Sequence, residues 1–221
     1  MAFELDHIFF FVPDAMEEAA RFVAFGLTEG PPNVHPGQGT SCRRFFLANA
    51  YLELLWVSDP AQAQSQSTRR TRLWDRWVGR PKGACPFGLA FRPGSHQQST
   101  PPFSGWPYRT QYLPDGWTLH VGSNADTLTE PMLIYLPFGR RPATQPILSS
   151  LQHRADLHEI TRVELASPHT DELSPAMKAL ADAHLLKIRA APEYLIEVGF
   201  DFERRAQTQD FRPLLPLVFH L

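Results

Sequence analysis

Along the first eleven residues of the apolar pattern, ELDHIFFFVPD (4–14), one charged pair stands out, Asp6-His7. Alternate positions on a strand share a face. Leu5, His7, Phe9 and Phe11 therefore lie on one side, and Asp6, Ile8, Phe10 and Val12 on the other. Both faces are mostly apolar, which predicts a strand inside a sheet covered on both sides. The pattern then shifts to helical spacing in PDAMEEAARFVAFG. Ala15, Ala19, Phe22 and Val23 form its buried stripe, Asp14 its cap with Glu17 three residues on, and Gly26 its end. A short strand is expected near Thr28–Glu29, then a turn-rich loop, PPNVHPGQGTS, whose glycines supply positive φ. CRRFFLAN and AYLELLWV read as two strands joined at Asn49, giving the order β-α-β-β-β.

Residues 58–68 are polar and low in complexity and read as a mobile loop. Residues 68–79 read as a helix with Leu73, Trp74, Trp77 and Val78 on its apolar face and solvated arginines opposite. A second β series follows in ACPFGLAFRP, PYRTQYLP, GWTLHVGSN and PMLIYLPF, with Asp115-Gly116 as a hairpin dipeptide. GSHQQSTPPFSGW stands where the second helix would be. Beyond a linker, HEITRVELASP is a strand. Ser174 caps a helix with Pro175 in its first turn, and two more strands and an apolar tail, FRPLLPLVFHL, complete the chain. The expected organisation is an α+β fold of two β-α-β-β-β modules (1–60 and 84–138, linker helix 68–79). A partial βαββ unit over 156–221 packs on them as a C-terminal β-α-β extension.

Composition narrows the function. A net charge of −2 favours neither nucleic acid nor anionic membrane surfaces. No apolar run approaches the roughly 18 residues a membrane span needs, and the N-terminus lacks a signal-peptide pattern, so a cytoplasmic protein is expected. The two cysteines, Cys42 and Cys85, have no zinc-motif or disulfide spacing and read as buried inert thiols. Nucleophile-elbow, phosphate-loop and dinucleotide motifs are not found.

The stretches LDHIFFFVPD and HPGQGTSCRRFFLANAYLELLWVSDP, with CPFGLAFRP and ITRVELASP more weakly, resemble the glyoxalase-like domain proteins of the vicinal oxygen chelate superfamily. The resemblance implies paired modules forming a half-open barrel around a pocket, a small-molecule ligand, a homodimer, and in metal-dependent members His and Glu ligands on the first and fourth strands. Carried onto this chain, those positions are His7 and Glu53. They would hold a divalent zinc, nickel, manganese or iron ion, with Glu53 as catalytic base. Phe9, His35, Tyr51, Trp117, His120 and Tyr135 are the expected pocket residues. The second module departs from the pattern: aligning FRP with FVP sets Phe87 opposite His7, and Ile134 or Tyr135 opposite Glu53. The expected function is a glyoxalase-like enzyme acting on a small oxygen-rich metabolite by lyase, isomerase or dioxygenase chemistry. The alternative is a metal-free protein of the same fold that binds or sequesters a small molecule. For His7 and Glu53 the plainer reading is a buried hydrogen-bonded pair, and Asp6 is expected at the surface or accepting at the sheet end.

Overall fold

Strand β1 (Phe3–Phe11) takes the interior place that its two apolar faces require. In this computed structural model, which describes residues 2–94, 100–144 and 148–221, it lies at the centre of an eight-stranded sheet. The other strands are β2 (Asn33–His35), β3 (Thr40–Phe46), β4 (Tyr51–Val57), β5 (Phe87–Pro93), β6 (Gly105–Tyr108), β7 (Leu119–Gly122) and β8 (Met132–Tyr135). Their order, β2-β3-β4-β1-β5-β8-β7-β6, reads the same from either edge when each strand is replaced by its counterpart in the other half. The halves meet where β1 and β5 pair antiparallel, and within each half the first and last strands pair parallel. This is the curled half-barrel of two repeated modules.

Helix α1 (Met16–Phe25) follows β1 and ends at Gly26, whose φ of 118° few other residues adopt. It buries Ala19 and Phe22 as expected, but Val23 is exposed and Glu18 is buried in its place. Asp14 accepts from the backbone N–H of Met16, ahead of the helix proper, and Ala15 in left-handed backbone begins it.

The expected strand at 28–29 is absent, and β2 forms instead inside the Pro/Gly stretch by pairing with β3. Residues 58–68 are an ordered turn. Asp59 caps the short helix α2 (Pro60–Ala63), and the buried Thr68 hydroxyl donates to the Gly37 carbonyl. Helix α3 (Leu73–Gly79) is shorter than expected and exposes Val78. Its Arg76 is not solvated: it is fully buried and donates to the carbonyls of Ala125, Thr127 and Glu130, closing the loop before β8. The replacement stretch GSHQQSTPPFSGW lies partly outside the described residues.

A second sheet covers the convex face. Its strands β9 (Ile160–Ser167), β10 (Lys187–Ala190), β11 (Leu195–Phe200), β12 (Thr208–Asp210) and β13 (Leu217–His220) run in the order β10-β9-β11-β13-β12. Helix α4 (Pro175–Asp182) starts, as its sequence requires, with Ser174 accepting from the N–H of Met177. One core joins the sheets: Ile8, Phe10, Leu52, Leu54, Phe87 and Leu89 face Leu165, Ile196, Val198, Leu217 and Phe219. Phe22 fits between them, edge-on to Phe45 and Phe211. The apolar tail is thereby packed, with Phe211, Leu215, Phe219 and Leu221 buried. His153 ties the linker to the first module, contacting the Phe46 carbonyl through Nε2 and accepting from the Thr28 N–H at Nδ1.

Candidate functional site

The concave face of the eight-stranded sheet is what the alternation of β1 and β4 leaves uncovered by the second sheet. His7 and Phe9 of β1 and Tyr51, Glu53 and Leu55 of β4 point into a cavity of about 270 Å³. The parallel register sets His7 beside Tyr51 and Phe9 beside Glu53. Loop and strand residues Asn33, His35 and Gln38 close one side. Leu119, Met132 and Ile134 from the second half close the other, and Tyr112 and Leu113 lie between β6 and β7. The first half thus supplies most of the polar wall and the second an apolar one. Phe9 is held flat against the seam because β5 has Gly88 opposite it: a Cβ there would stand 2.0 Å from the ring.

His7 is oriented from behind. A register shift in the β1–β5 pairing falls at Asp6, between Leu5 and His7, and such an irregularity re-aims a side chain. Asp6 is consequently buried, not at the surface, and its Oδ1 lies 2.8 Å from His7 Nδ1. Fully buried Arg92 supports Asp6 in turn at 3.4 Å, and reaches Glu4 at 2.9 Å and the Asn49 carbonyl. An anionic acceptor at Nδ1 selects the tautomer with its proton there, so Nε2 is left to face the cavity. Nε2 stands 4.0 Å from Glu53 Oε2, too far for a hydrogen bond and wide enough for an oxygen atom to bridge. The Tyr51 ring stacks on His7 at 4.4 Å. Burial pushes the Tyr51 hydroxyl well above its ordinary pKa, with the charges of Glu53 and Asp6 adding to the effect, so it stays a neutral phenol.

On the far side of Glu53 lies a second group. His35, Cys42 and Glu53 each bring one ligand atom within 4.8 Å of the others, and all three are buried. His35 Nδ1 is 2.8 Å from Thr40 Oγ1 and Nε2 3.1 Å from the Asn33 amide; burial lowers the His35 pKa and keeps the ring neutral. Burial likewise pushes the Cys42 thiol far up, and the nearby Glu53 charge adds to this. Cys42 is fully buried in the apolar cluster beneath the cavity, as expected of a core thiol, and its sulfur also lies beside His35 and Glu53. It shares the concave face with Arg44 and Phe46 by alternation, and the β3–β4 register puts Arg44 opposite Glu53.

Three expected pocket residues lie elsewhere. Tyr135 is buried on the convex side, edge-on to Phe3, and Ile134 faces the cavity instead. His120 sits between Leu119 and Val121 on β7, which turn to the concave side, and so points to the opposite face, beside Phe103. Trp117 is exposed and lies against Phe138, the ring centroids 4.2 Å apart and the planes tilted by 32°. Phe87, aligned with His7 as its counterpart in the second module, does not share the concave face either; it faces the second sheet. The concave positions of β5 and β8 are Gly88, Ala90, Met132 and Ile134, which bring no imidazole, carboxylate or thiolate. A metal held jointly by both modules, as the resemblance implies, therefore has only half its donors.

A half-barrel of paired modules, with a histidine and a glutamate on the first and fourth strands of one of them, defines a vicinal oxygen chelate protein. The sequence profile of the glyoxalase-like domain matches residues 5–181, and the chain belongs to that family. Among solved structures, a hypothetical protein from Staphylococcus aureus is similar in fold over 98% of this chain and 98% of its own, with a TM-score of 0.55 at 12% identity. No curated protein matches the sequence. Among the described residues no helix is long and apolar enough to cross a membrane.

Proposed function

We propose that this chain is a glyoxalase-like enzyme that moves a proton within a small, carbonyl-bearing metabolite. The observation that supports the reading best is the buried His7–Glu53 pair on the cavity wall, 4.0 Å apart and backed by Asp6 and Arg92. Glu53 takes the proton from the carbon beside the carbonyl. His7 Nε2, which carries no proton, takes the proton of the neighbouring hydroxyl and delivers it to the former carbonyl oxygen. Asp6 stabilises the imidazolium in between, and Glu53 returns its proton to the adjacent carbon. Enclosure strengthens both effects by excluding water. The ligand is an amphipathic small molecule, with oxygens toward His7, Glu53 and Tyr51 and its apolar part against Leu119, Met132 and Ile134. His7 and Glu53 are the two family-type donors available to a divalent ion. Since the second module adds none, the proposed steps are proton transfers among this chain's own groups.

The apolar second wall also favours a second reading, a metal-free protein that binds such a molecule without turning it over. Incubation with α-keto aldehydes and α-hydroxy ketones in heavy water, followed by proton NMR, separates the two. Exchange or isomerisation that Glu53→Gln abolishes and His7→Asn slows is the expected result. Binding at one equivalent with no exchange by wild type would assign the second reading.

A further inference from the structure

We propose that His35, Cys42 and Glu53 form a metal site lying wholly within the first module, and that it takes a thiolate-binding divalent ion such as zinc. The three donors come from three adjacent strands, β2, β3 and β4, and converge to within 4.8 Å. One nitrogen, one sulfur and one carboxylate oxygen are a donor set that suits zinc or cobalt and disfavours magnesium and calcium. Three protein ligands leave a coordination position open, as catalytic zinc sites do. His35 and Glu53 both line the cavity while Cys42 lies fully buried beside them, so that position faces the bound ligand.

The surroundings are those of an oriented ligand. Thr40 Oγ1 contacts His35 Nδ1 and also accepts from the Gln38 amide at 2.8 Å, which fixes the ring while Nε2 exchanges the Asn33 amide for the ion. Binding releases the Cys42 thiol proton to solvent and forms the metal–sulfur bond, with no change of oxidation state. The site also accounts for the missing donors of β5 and β8, because it draws none from the second half. It goes beyond the proton-transfer reading: Glu53 is common to both, but His7 belongs only to that reading and Cys42 only to this site.

The test uses the full chain without an affinity tag, titrated with cobalt(II) and then zinc, and needs no substrate. The expected result is one cobalt per chain, with a sulfur-to-cobalt charge-transfer band in the near ultraviolet that zinc quenches and magnesium does not. Cys42→Ser and His35→Ala should each weaken binding by at least ten- to hundred-fold, the range that loss of even a supporting contact produces. His7→Ala should leave the band and the stoichiometry intact, as should Cys85→Ser, whose thiol lies in the core between the two sheets. Circular dichroism confirms that each variant is folded, and a conservative Thr40→Val should weaken binding about tenfold if either ligand variant is not. A cobalt complex without the thiolate band would overturn the proposal. So would binding lost in His7→Ala but kept in Cys42→Ser, or no uptake by wild type. Failure of the heavy-water assay leaves these readouts untouched, and the reverse also holds.

Discussion

Replacing Arg92 by methionine should be among the most damaging single changes in this protein. Arg92 is 1% exposed, and its guanidinium bridges Asp6, Glu4 and the Asn49 carbonyl. Methionine keeps much of the apolar stem but leaves Asp6, itself buried, without its cation and the Asn49 carbonyl without that donor. Removing one partner of a buried ion pair typically costs about 3–5 kcal/mol, because the remaining charge stays out of water. Glu4 softens the loss, since the exposed Arg141 also holds it at 2.7 Å. For a chain of this size that range lowers Tm by about 6–20 °C. Arg92→Lys should recover little, because a single ammonium cannot span acceptors arranged for a fork. Differential scanning calorimetry measures the loss directly. Adding Asp6→Asn to Arg92→Met should restore part of it, since the uncompensated charge is then gone. A loss under about 1 kcal/mol for Arg92→Met, or strict additivity in the double variant, would refute the account of this buried network and of how His7 is held.

Other changes follow from the same geometry. Gly88→Ala should force the Phe9 ring toward the cavity by about 1.5 Å to reach normal carbon contact, destabilise by about 1–3 kcal/mol and weaken ligand binding, as read by chemical unfolding and ligand titration. Arg76→Met should cost several kcal/mol by stranding the carbonyls of Ala125, Thr127 and Glu130, with urea midpoints as the measure; a loss below 1 kcal/mol would contradict their role. Burial lowers the His153 pKa below that of the unfolded chain. Its contribution to stability is therefore fully present above about pH 6.5 and lost as pH falls through the folded value. Tm measured between pH 5 and 8 should fall on the acid side of this window, and His153→Gln should flatten that fall.

The sequence made β1 legible because its two faces are both apolar and its polar pair is isolated. His7 and Glu53 were then placed by family resemblance, and the parallel β1–β4 register brings their neighbours together on one wall. The remainder depended on register, which single-strand patterns do not carry. PMLIYLPF is apolar on both faces, so alternation alone had no means of choosing between Ile134 and Tyr135; a one-residue slip exchanges them. His120 failed for the same reason. Of the two expectations for Asp6, the hydrogen-bond acceptor holds and the surface position does not, because the irregularity that re-aims it arises from pairing with β5. Cys42 looked like any small core residue, and only its pairing with β4 sets it on the face that carries Glu53. Strand β2 escaped because three residues in a Pro/Gly stretch have no pattern of their own; the partner strand makes them a strand.

The mirror-like strand order has a consequence for how this cavity changes. Two halves of like build meet at the β1–β5 seam, yet the ionisable groups cluster in one and a largely hydrocarbon surface lines the other. The shape of the cavity and its charge are thus drawn from separate stretches of chain. Substitutions at Leu119, Met132 or Ile134 reshape what fits without disturbing the charges that surround His7 and Glu53. A lineage, or a designer, is free to reshape one wall while the charged groups of the other stay in place.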